Sequence, residues 1–452
     1  MLTSLSFLEQ GNEWPPACEA GRLDTYQSNR LLFSGRHDLV FRHQLERVCR
    51  VEGQFRDVLD YRVVLNYPRL VSCKVADLLF CEPPEIVGPL PEGIWVNAYE
   101  AALDVSRYGT GLLYVYAGAQ GAVLDVARPE EWFPVYDGRR HIHAHVLAVP
   151  MQPEMLQQWC GNDQLWETQS TDTVKVLARR ELHLLRKHGK HAHRDGEQPQ
   201  TGQGVRWEGR MYEKGLAVEI HTPGHVERRA YLSDGQRMGP LVWSEEVDTG
   251  LPGFAVIPIH NTTTSDHPWG LDDYRDMDSL LSELEISLAQ MSRILDRHAN
   301  PSMQGPESAL EWDKEAQCYT LRAGQYFITQ EGERVEYLTW DAKLDACFAH
   351  FQRLLHQLYT VTEMGSVIFG DWSGHSGAIP SGAALKRLLI APLSKVSRIK
   401  LRFEPALLEA VNSWRVLTGH GVVADAVRWK DGLPGEERLE NDEYKANEGG
   451  AV

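Results

Sequence analysis

Three histidines at alternate positions are the residues of this sequence best suited to bind a metal ion. Alternate side chains of a β-strand share one face, so the run HIHAH would place on one face His141, His143 and His145. Imidazole groups are good ligands for several divalent metals, which makes a metal-dependent enzyme one hypothesis. No carboxylate or cysteine at matching spacing completes the set, and the sequence therefore favours a plain polar strand face.

Two other groups of residues are common in active sites but lack the required spacing here. Segment 365–381 contains Ser373, His375 and Ser376, yet Gly377 follows Ser376 directly and the G-x-S-x-G motif of serine hydrolases is absent. The sequence also has no G-x-x-x-x-G-K-[ST] motif, which excludes a P-loop ATPase. We expect a protein that is not an enzyme and needs no cofactor.

Positive charge is concentrated in segment 381–414, within a chain whose formal net charge is -17. Apolar residues recur there with the spacing of one helix face, and Pro392 at the missing step of that pattern is the predicted kink of the helix. The opposite face could face solvent, bind acidic parts of a neighbouring subunit or contact DNA. Its predicted cations are Lys386, Arg387, Lys395, Arg398, Lys400 and Arg402.

Two amphipathic helices and a glycine-rich loop are predicted before this basic helix. Apolar residues follow a seven-residue repeat over 271–298 and 341–364, which could pack inside one chain or between subunits. Between them, 317–322 and 325–329 are predicted strands. The loop, 365–380, is long enough to be functional, and its glycines give it hinge freedom. Its tip is Val367, Ile368 and Phe369, followed by Asp371 and Trp372.

The first 270 residues mix helical and β-rich segments, so the predicted fold class is α+β. Helical spacing relates Val71, Val75 and Leu78, and two β-rich runs flank Gly118–Gly121 as in a β-hairpin. A final strand is predicted over 422–429. No apolar run reaches the roughly 18 residues of a membrane-spanning helix, so no membrane contact is expected.

Four of these segments, in this order, resemble portal proteins of tailed bacteriophages, in particular those of long-tailed siphophages. Such proteins form the ring at one vertex of the capsid. The segments are NYPRLVSCKVADLLFCEPP (66–84), RYGTGLLYVYAGAQGAVLDVARPEEWFPVYD (107–137), YRDMDSLLSELEISLAQMSRILDRHANPSMQGP (274–306) and SGAALKRLLIAPLSKVSRIKLRFEPALLEAV (381–411).

The resemblance implies a division of the chain into the parts of a portal subunit. It would contain a wing (1–270), two stem helices (271–298 and 341–364) with a clip between them (299–340), a tunnel loop (365–380), a long kinked wing helix (381–414), and a C-terminal wing strand with a short or absent crown and a flexible acidic tail (415–452). The loop residues that would line the channel are Val367, Ile368, Phe369, Asp371 and Trp372.

The resemblance also implies function and partners. The chain would form a homo-oligomeric ring, of twelve subunits in the family, through which double-stranded DNA is packaged and ejected. Its other partners would be the terminase large subunit, the major capsid and scaffolding proteins and a head–tail adaptor. It would assemble in the host cytoplasm and reside in the virion at the capsid vertex. The alternatives are a metal-dependent enzyme and a helical scaffold protein unrelated to phage.

Overall fold

The protein has a mixed α+β fold with mainly antiparallel sheets, as the sequence predicts. None of the helices that the structure describes is both long and apolar enough to cross a bilayer. The computed structural model describes residues 1–42, 63–118, 121–138, 141–161, 168–170, 203–207, 210–265, 267–299, 302–306, 311–313, 318–320, 326–330, 334–338, 344–370, 387–421 and 423–430.

Eight α-helices lie in the described ranges. They are α1 (Ala20–Phe33), α2 (His37–Val40), α3 (Tyr67–Phe80), α4 (Ile94–Tyr108), α5 (Pro153–Trp159), α6 (Asp278–Ala299), α7 (Leu344–Val361) and α8 (Ile390–Leu417). Asn66 caps α3 because its side chain accepts a hydrogen bond from the Arg69 amide at 3.3 Å. Left-handed glycines, Gly93 and Gly109, flank α4.

Sixteen strands lie in the same ranges: β1 (Thr110–Gly118), β2 (Gly121–Ala127), β3 (Trp132–Asp137), β4 (His141–Met151), β5 (Thr168–Ser170), β6 (Gln203–Trp207), β7 (Arg210–Tyr212), β8 (Lys214–Thr222), β9 (His225–Ser233), β10 (Met238–Asp248), β11 (Val256–His260), β12 (Ser302–Pro306), β13 (Glu311–Asp313), β14 (Cys318–Thr320), β15 (Tyr326–Thr329) and β16 (Glu336–Leu338). The largest sheet is antiparallel, in the order β10-β9-β8-β4-β3. The smaller sheets are β11-β1-β2, β15-β12-β16, β13-β14 and β5-β6-β7.

The predicted hairpin at Gly118–Gly121 is confirmed, since these two glycines are paired at the ends of β1 and β2. Strands β14 and β15 lie within the two strands predicted between the amphipathic helices. The predicted strand over 422–429 is wrong for its described residues, which form only an isolated bridge from Arg428 to Glu85. One bridge provides too few ladder hydrogen bonds to extend a strand.

The largest hydrophobic core joins α3, α4, α6 and α8 to the sheet β11-β1-β2. Val75, Val105, Leu281 and Phe403 are completely buried in it. Full burial of such a side chain contributes about 1.5–3 kcal/mol to folding. A second core lies on the five-stranded sheet and includes Phe133, Val146 and Val218 from its strands with Phe7 and Trp14 from the N-terminal segment.

A close backbone contact positions the segment before α6. A Cβ atom on Gly109 would lie 2.1 Å from the carbonyl oxygen of Gly270. The two backbone segments can therefore approach this closely only because residue 109 has no side chain. The contact brings Asp273 to the C-terminal end of α4, where its amide donates to the Ser106 carbonyl at 2.8 Å. The first amphipathic helix starts at Asp278 and not at Leu271, because Leu271 forms a bridge with Thr262 and the residues up to 277 form bends and a turn.

Candidate functional site

The two amphipathic helices, α6 and α7, contact each other, and their seams change from buried to exposed along their length. In α6 the repeat is buried at Leu281 and Leu284, whereas Leu295 is 47% exposed. In α7 the order is reversed: Phe348, near the start of the helix, is 46% exposed, and Leu358, near its end, is buried. The ends that meet the main core are thus closed, and the ends next to β12–β16 present apolar side chains to solvent.

The small β region between these helices also has exposed apolar side chains. Phe327 and Ile328 on β15 are 51% and 60% exposed, and Val335 beside β16 is exposed as well. Exposed apolar side chains scattered singly are normal, whereas a contiguous group of them marks a surface that can bind another molecule. We call Leu295, Phe327, Ile328, Val335 and Phe348 the outer apolar set.

The predicted loop tip forms a short 3-10 turn over Val367–Phe369 that packs on its own chain. Phe369 stacks on Tyr359 of α7 with ring centroids 5.0 Å apart and meets the Tyr67 ring edge-on at 5.9 Å. Ile368 and Phe369 are half-buried against the main core, and Val367 is half-buried too. The tip therefore does not project freely into solvent, because it packs against aromatic side chains of α3 and α7. Asp371 and Trp372 lie outside the described residues.

Lys395 corrects the predicted basic face, because the structure buries this side chain. It is 6% exposed and forms an ion pair with Asp273, Nζ to Oδ1 at 2.9 Å. Its Nζ also donates to the carbonyl oxygen of Thr362 at 3.0 Å. Position 395 is adjacent to Val396 and four residues before Ile399, both buried, so it lies at the edge of the apolar stripe of α8.

The other predicted cations among the described residues are exposed or partly exposed, and most of them contact their own chain. Arg398 pairs with Glu363, and Arg402 donates to Thr263 Oγ1 at 3.2 Å. Lys400 donates to the Lys430 carbonyl oxygen at 3.0 Å and lies over the Trp429 ring. Arg387 is exposed, and Lys386 lies outside the described residues. Most of the predicted basic residues of α8 thus form intramolecular contacts.

The break in the helical segment occurs before Pro392 and not at it. Leu389 has non-helical angles, φ −95° and ψ 11°, between helical residues 387–388 and the start of α8 at Ile390. Pro392 then lies in the first turn of α8, where amides have no intrahelical partner and proline is tolerated. The proline inside the continuous helix is Pro405.

The three alternating histidines do not share a face. The pairing of β4 with β3 is irregular at His143, because Ala144 pairs with Val135 and Ile142 pairs with Tyr136. The extra residue puts His141 and His145 on opposite faces. His141 and His143 are exposed, whereas His145 is buried. Among the residues that the structure describes, no group of three or more His, Cys, Asp or Glu side chains could hold a metal ion.

His145 belongs to the packed interior between sheets. Trp132 Nε1 donates to its Nδ1 at 3.0 Å, and its ring meets Phe254 edge-on at 4.6 Å. Burial, with smaller contributions from His221 and His260, lowers the pKa of His145 to about 3. Burial beside Arg402 likewise lowers the pKa of His260 to about 4. These imidazoles are neutral at physiological pH.

Asp273 is a site residue that the sequence analysis missed. Its carboxylate accepts from Ser106 Oγ at 2.6 Å and from Asn261 Nδ2 at 3.1 Å, besides the ion pair with Lys395. A buried lysine requires an acid nearby, but a lysine at the edge of an apolar stripe can also extend to solvent, so its position is only a weak signal in the sequence. That signal does not identify the acid, which comes from a segment 122 residues earlier in the chain.

Comparisons with known proteins identify no family. No protein-family model matches the sequence, and no curated protein matches it. Among solved structures, a chain from the virion of a native gene transfer agent (GTA) particle is similar, with a TM-score of 0.41 and 13% sequence identity. The match covers 98% of this chain and 92% of that chain. A TM-score of this size does not establish a common fold.

Proposed function

We propose that this protein is a portal-type subunit that forms a ring around a channel for double-stranded DNA. The four segments that resemble phage portal proteins, including those of α3, α6 and α8, support this proposal. In this proposal α6 and α7 are the stem helices, β12–β16 belong to the clip and the segment after α7 is the tunnel loop. The protein acts as a conduit and not as an enzyme.

The outer apolar set is the observation that carries the proposal. Its members belong to α6, α7 and the β region between them, and they remain exposed in the isolated chain. A second copy packed beside the first would bury them. In the proposed ring the two faces of this contact would differ, and such a heterologous interface closes into a ring when its rotation permits.

The charge of the chain fits the passage of DNA better than a firm grip on it. The formal net charge is -17, which repels phosphate. Tight binding to DNA requires lysine and arginine that are free to replace counterions. Lys395, Lys400, Arg398 and Arg402 instead contact their own chain. We therefore propose that the bore wall holds few cations directed at DNA.

The further elements of the proposal follow from the portal resemblance. The ring would have twelve subunits in the virion and lie at a capsid vertex. The terminase large subunit would dock on it during packaging, and a head–tail adaptor would replace the terminase later. The major capsid protein and the scaffolding protein would contact the wing during assembly in the host cytoplasm.

Oligomeric state and shape provide the test. Purified full-length protein should give rings with a central hole in negative-stain images and a matching mass by native mass spectrometry. Phe348→Ser should lower the fraction of rings, because it removes an apolar contact from the outer set. Met155→Ser, at an exposed position of α5, is the matched control and should assemble normally.

Other outcomes would support different functions. A monodisperse monomer at micromolar concentration would contradict the portal proposal, and stoichiometric bound metal would revive the metal-dependent enzyme. Open filaments or irregular clusters would favour a scaffold protein. The separation of His141 from His145 across β4 already removes the shared face on which the enzyme hypothesis was based.

A further inference from the structure

The end of α7 is held by an unusual set of contacts from α8. α7 ends at Val361, so the carbonyl of Thr362 belongs to the end of the helix, where carbonyl groups lack intrahelical partners. Lys395 Nζ donates to this carbonyl oxygen at 3.0 Å. A cation at a helix C-terminus also interacts favourably with the helix dipole. The buried lysine thus caps a neighbouring helix.

The next residue is in a conformation that costs energy. Glu363 has φ +58°, the left-handed region that L side chains other than Asn and Asp seldom adopt, and in the described chain it is the one non-glycine residue there. Its carboxylate pairs with Arg398, one turn after Lys395 on α8. The ion pair provides a contact that offsets the strain. Lys395 and Arg398 therefore hold two consecutive residues.

The same lysine connects this turn to the segment before α6. Asp273, its ion-pair partner, also accepts from Ser106 of α4 and Asn261 after β11. Ser106 accepts in turn from Ser72 of α3, whose hydroxyl lies 2.7 Å from that of Tyr274. Through Lys395, the end of α7 is fastened to elements of the main core.

We propose that Lys395 and Arg398 act as a two-point clamp that sets the conformation of residues 362–370, the end of α7 and the first residues of the glycine-rich loop. With the clamp closed, Phe369 lies against Tyr359 and Tyr67. With the clamp open, Glu363 leaves the left-handed region and the turn separates from its aromatic neighbours. α8 thereby holds the first residues of the loop, 365–370, against the main core. This inference concerns the folding of one chain and does not depend on the proposed function.

Hydrogen exchange at three amides reports on the clamp directly. The amides of Gly365, Phe369 and Gly370 donate to carbonyl oxygens of Tyr359, Ser366 and Val367 at 3.2, 3.0 and 3.0 Å. Arg398→Gln in the full chain should speed their exchange about two- to fivefold, the effect of losing an exposed ion pair. Glu363→Gln should act equally, and the double variant should add little because both remove one interaction.

Lys395→Met should have a larger effect, about 100-fold or more at the same amides, because the Thr362 carbonyl loses its donor and the buried carboxylate of Asp273 loses its partner. The second loss also lowers the stability of the whole chain. If this variant does not fold, Lys395→Met with Asp273→Asn removes both charges. The double variant should protect the amides of β8 as in the parent chain, while the three turn amides stay fast because the Thr362 carbonyl still lacks its donor.

Arg402→Gln is the matched control, since it removes an arginine one turn further along α8 without touching the turn. It should leave exchange at the three amides unchanged. The clamp is overturned if Arg402→Gln speeds these amides as much as Arg398→Gln does. It is also overturned if the variants at 395 leave them at the parent rate, or if β8 in the double variant at 395 and 273 loses protection to the same extent as the turn.

Discussion

The five-stranded sheet and the outer ends of α6 and α7 differ in how far they bury their side chains. In the sheet, even a titratable group such as His145 is buried, and Trp132 donates a hydrogen bond to it. At the outer helix ends, Leu295 and Phe348 face solvent although they continue seams that are buried elsewhere. The sheet buries these side chains within a single chain. The outer helix ends have apolar side chains typical of an interior, but no described residue of the same chain covers them fully.

Helix α6 contains both situations within one apolar repeat. Leu281 and Leu295 are two heptads apart on the same seam, but only Leu281 has the main core against it. The repeat therefore predicts which face of the helix is apolar. It does not predict whether residues of the same chain or of another molecule cover that face. The contrast teaches that a buried and an unfinished surface can have the same sequence pattern. Three substitutions test the contrast.

The largest effect is expected at Trp132, which is completely buried in the sheet region. Trp132→Ala should lower the free energy of unfolding by about 3–5 kcal/mol, because it leaves a cavity and removes the donor to His145. Urea unfolding followed by circular dichroism measures this loss. Leu241→Ala, at an exposed position of β10, should change it by less than about 1 kcal/mol. Equal losses would show that the sheet region is not a closed core.

An intermediate effect is expected from the pH dependence of His145. Its folded pKa, about 3, lies below the ordinary value of 6.5, so the unfolded chain binds the proton first as the pH falls. The stabilisation is complete above pH 6.5 and is lost as the pH falls towards 3. Between pH 8 and pH 4.5, His145→Gln should lose about 2–3 kcal/mol less than the parent chain.

The comparison is made between variant and parent at each pH, because another group titrates in the opposite direction. Burial and Asp272 raise the pKa of Asp278 to about 7, so its protonation stabilises the fold on acidification. That contribution is common to both proteins and cancels in the difference. An identical pH profile for His145→Gln and the parent chain would contradict burial of a neutral imidazole at this position.

The smallest effect on the subunit is expected at Leu295. Leu295→Ala should change the free energy of unfolding by less than about 1 kcal/mol, because the side chain is half-exposed. Urea unfolding is measured below the protein concentration at which rings form. Leu281→Ala, on the same seam, should cost about 3–5 kcal/mol. Leu295→Ala should nevertheless lower the fraction of rings at micromolar concentration, and normal assembly would remove Leu295 from the proposed interface.

Much of the local structure is predictable because its causes are local. The spacing of Val71, Val75 and Leu78 predicts α3, and the glycines at 118 and 121 predict the β1–β2 hairpin. The start of α6 was predicted seven residues too early. Asp272 accepts from the amides of Tyr274 and Arg275, and these bonds hold a turn where the apolar spacing alone suggests helix.

The candidate site was harder to predict, because it depends on contacts between distant segments. A lysine among other cations indicates a solvated face, yet Lys395 finds Asp273 and the end of α7 in the interior. Strict alternation puts His141 and His145 together, yet one extra residue in β4 separates them. Composition predicts an apolar loop tip, but the aromatic neighbours of that tip lie in α3 and α7, far away in the sequence.

The sequence by itself determined the α+β class, the amphipathic helices and the concentration of cations in segment 381–414. These features follow from periodicity and composition, which can be read over short stretches of sequence. Tertiary structure decided which of those cations is buried, which end of each helix seam is covered and where the chain after α7 is held. These outcomes depend on burial and charge pairing across more than a hundred residues, and no local pattern records them.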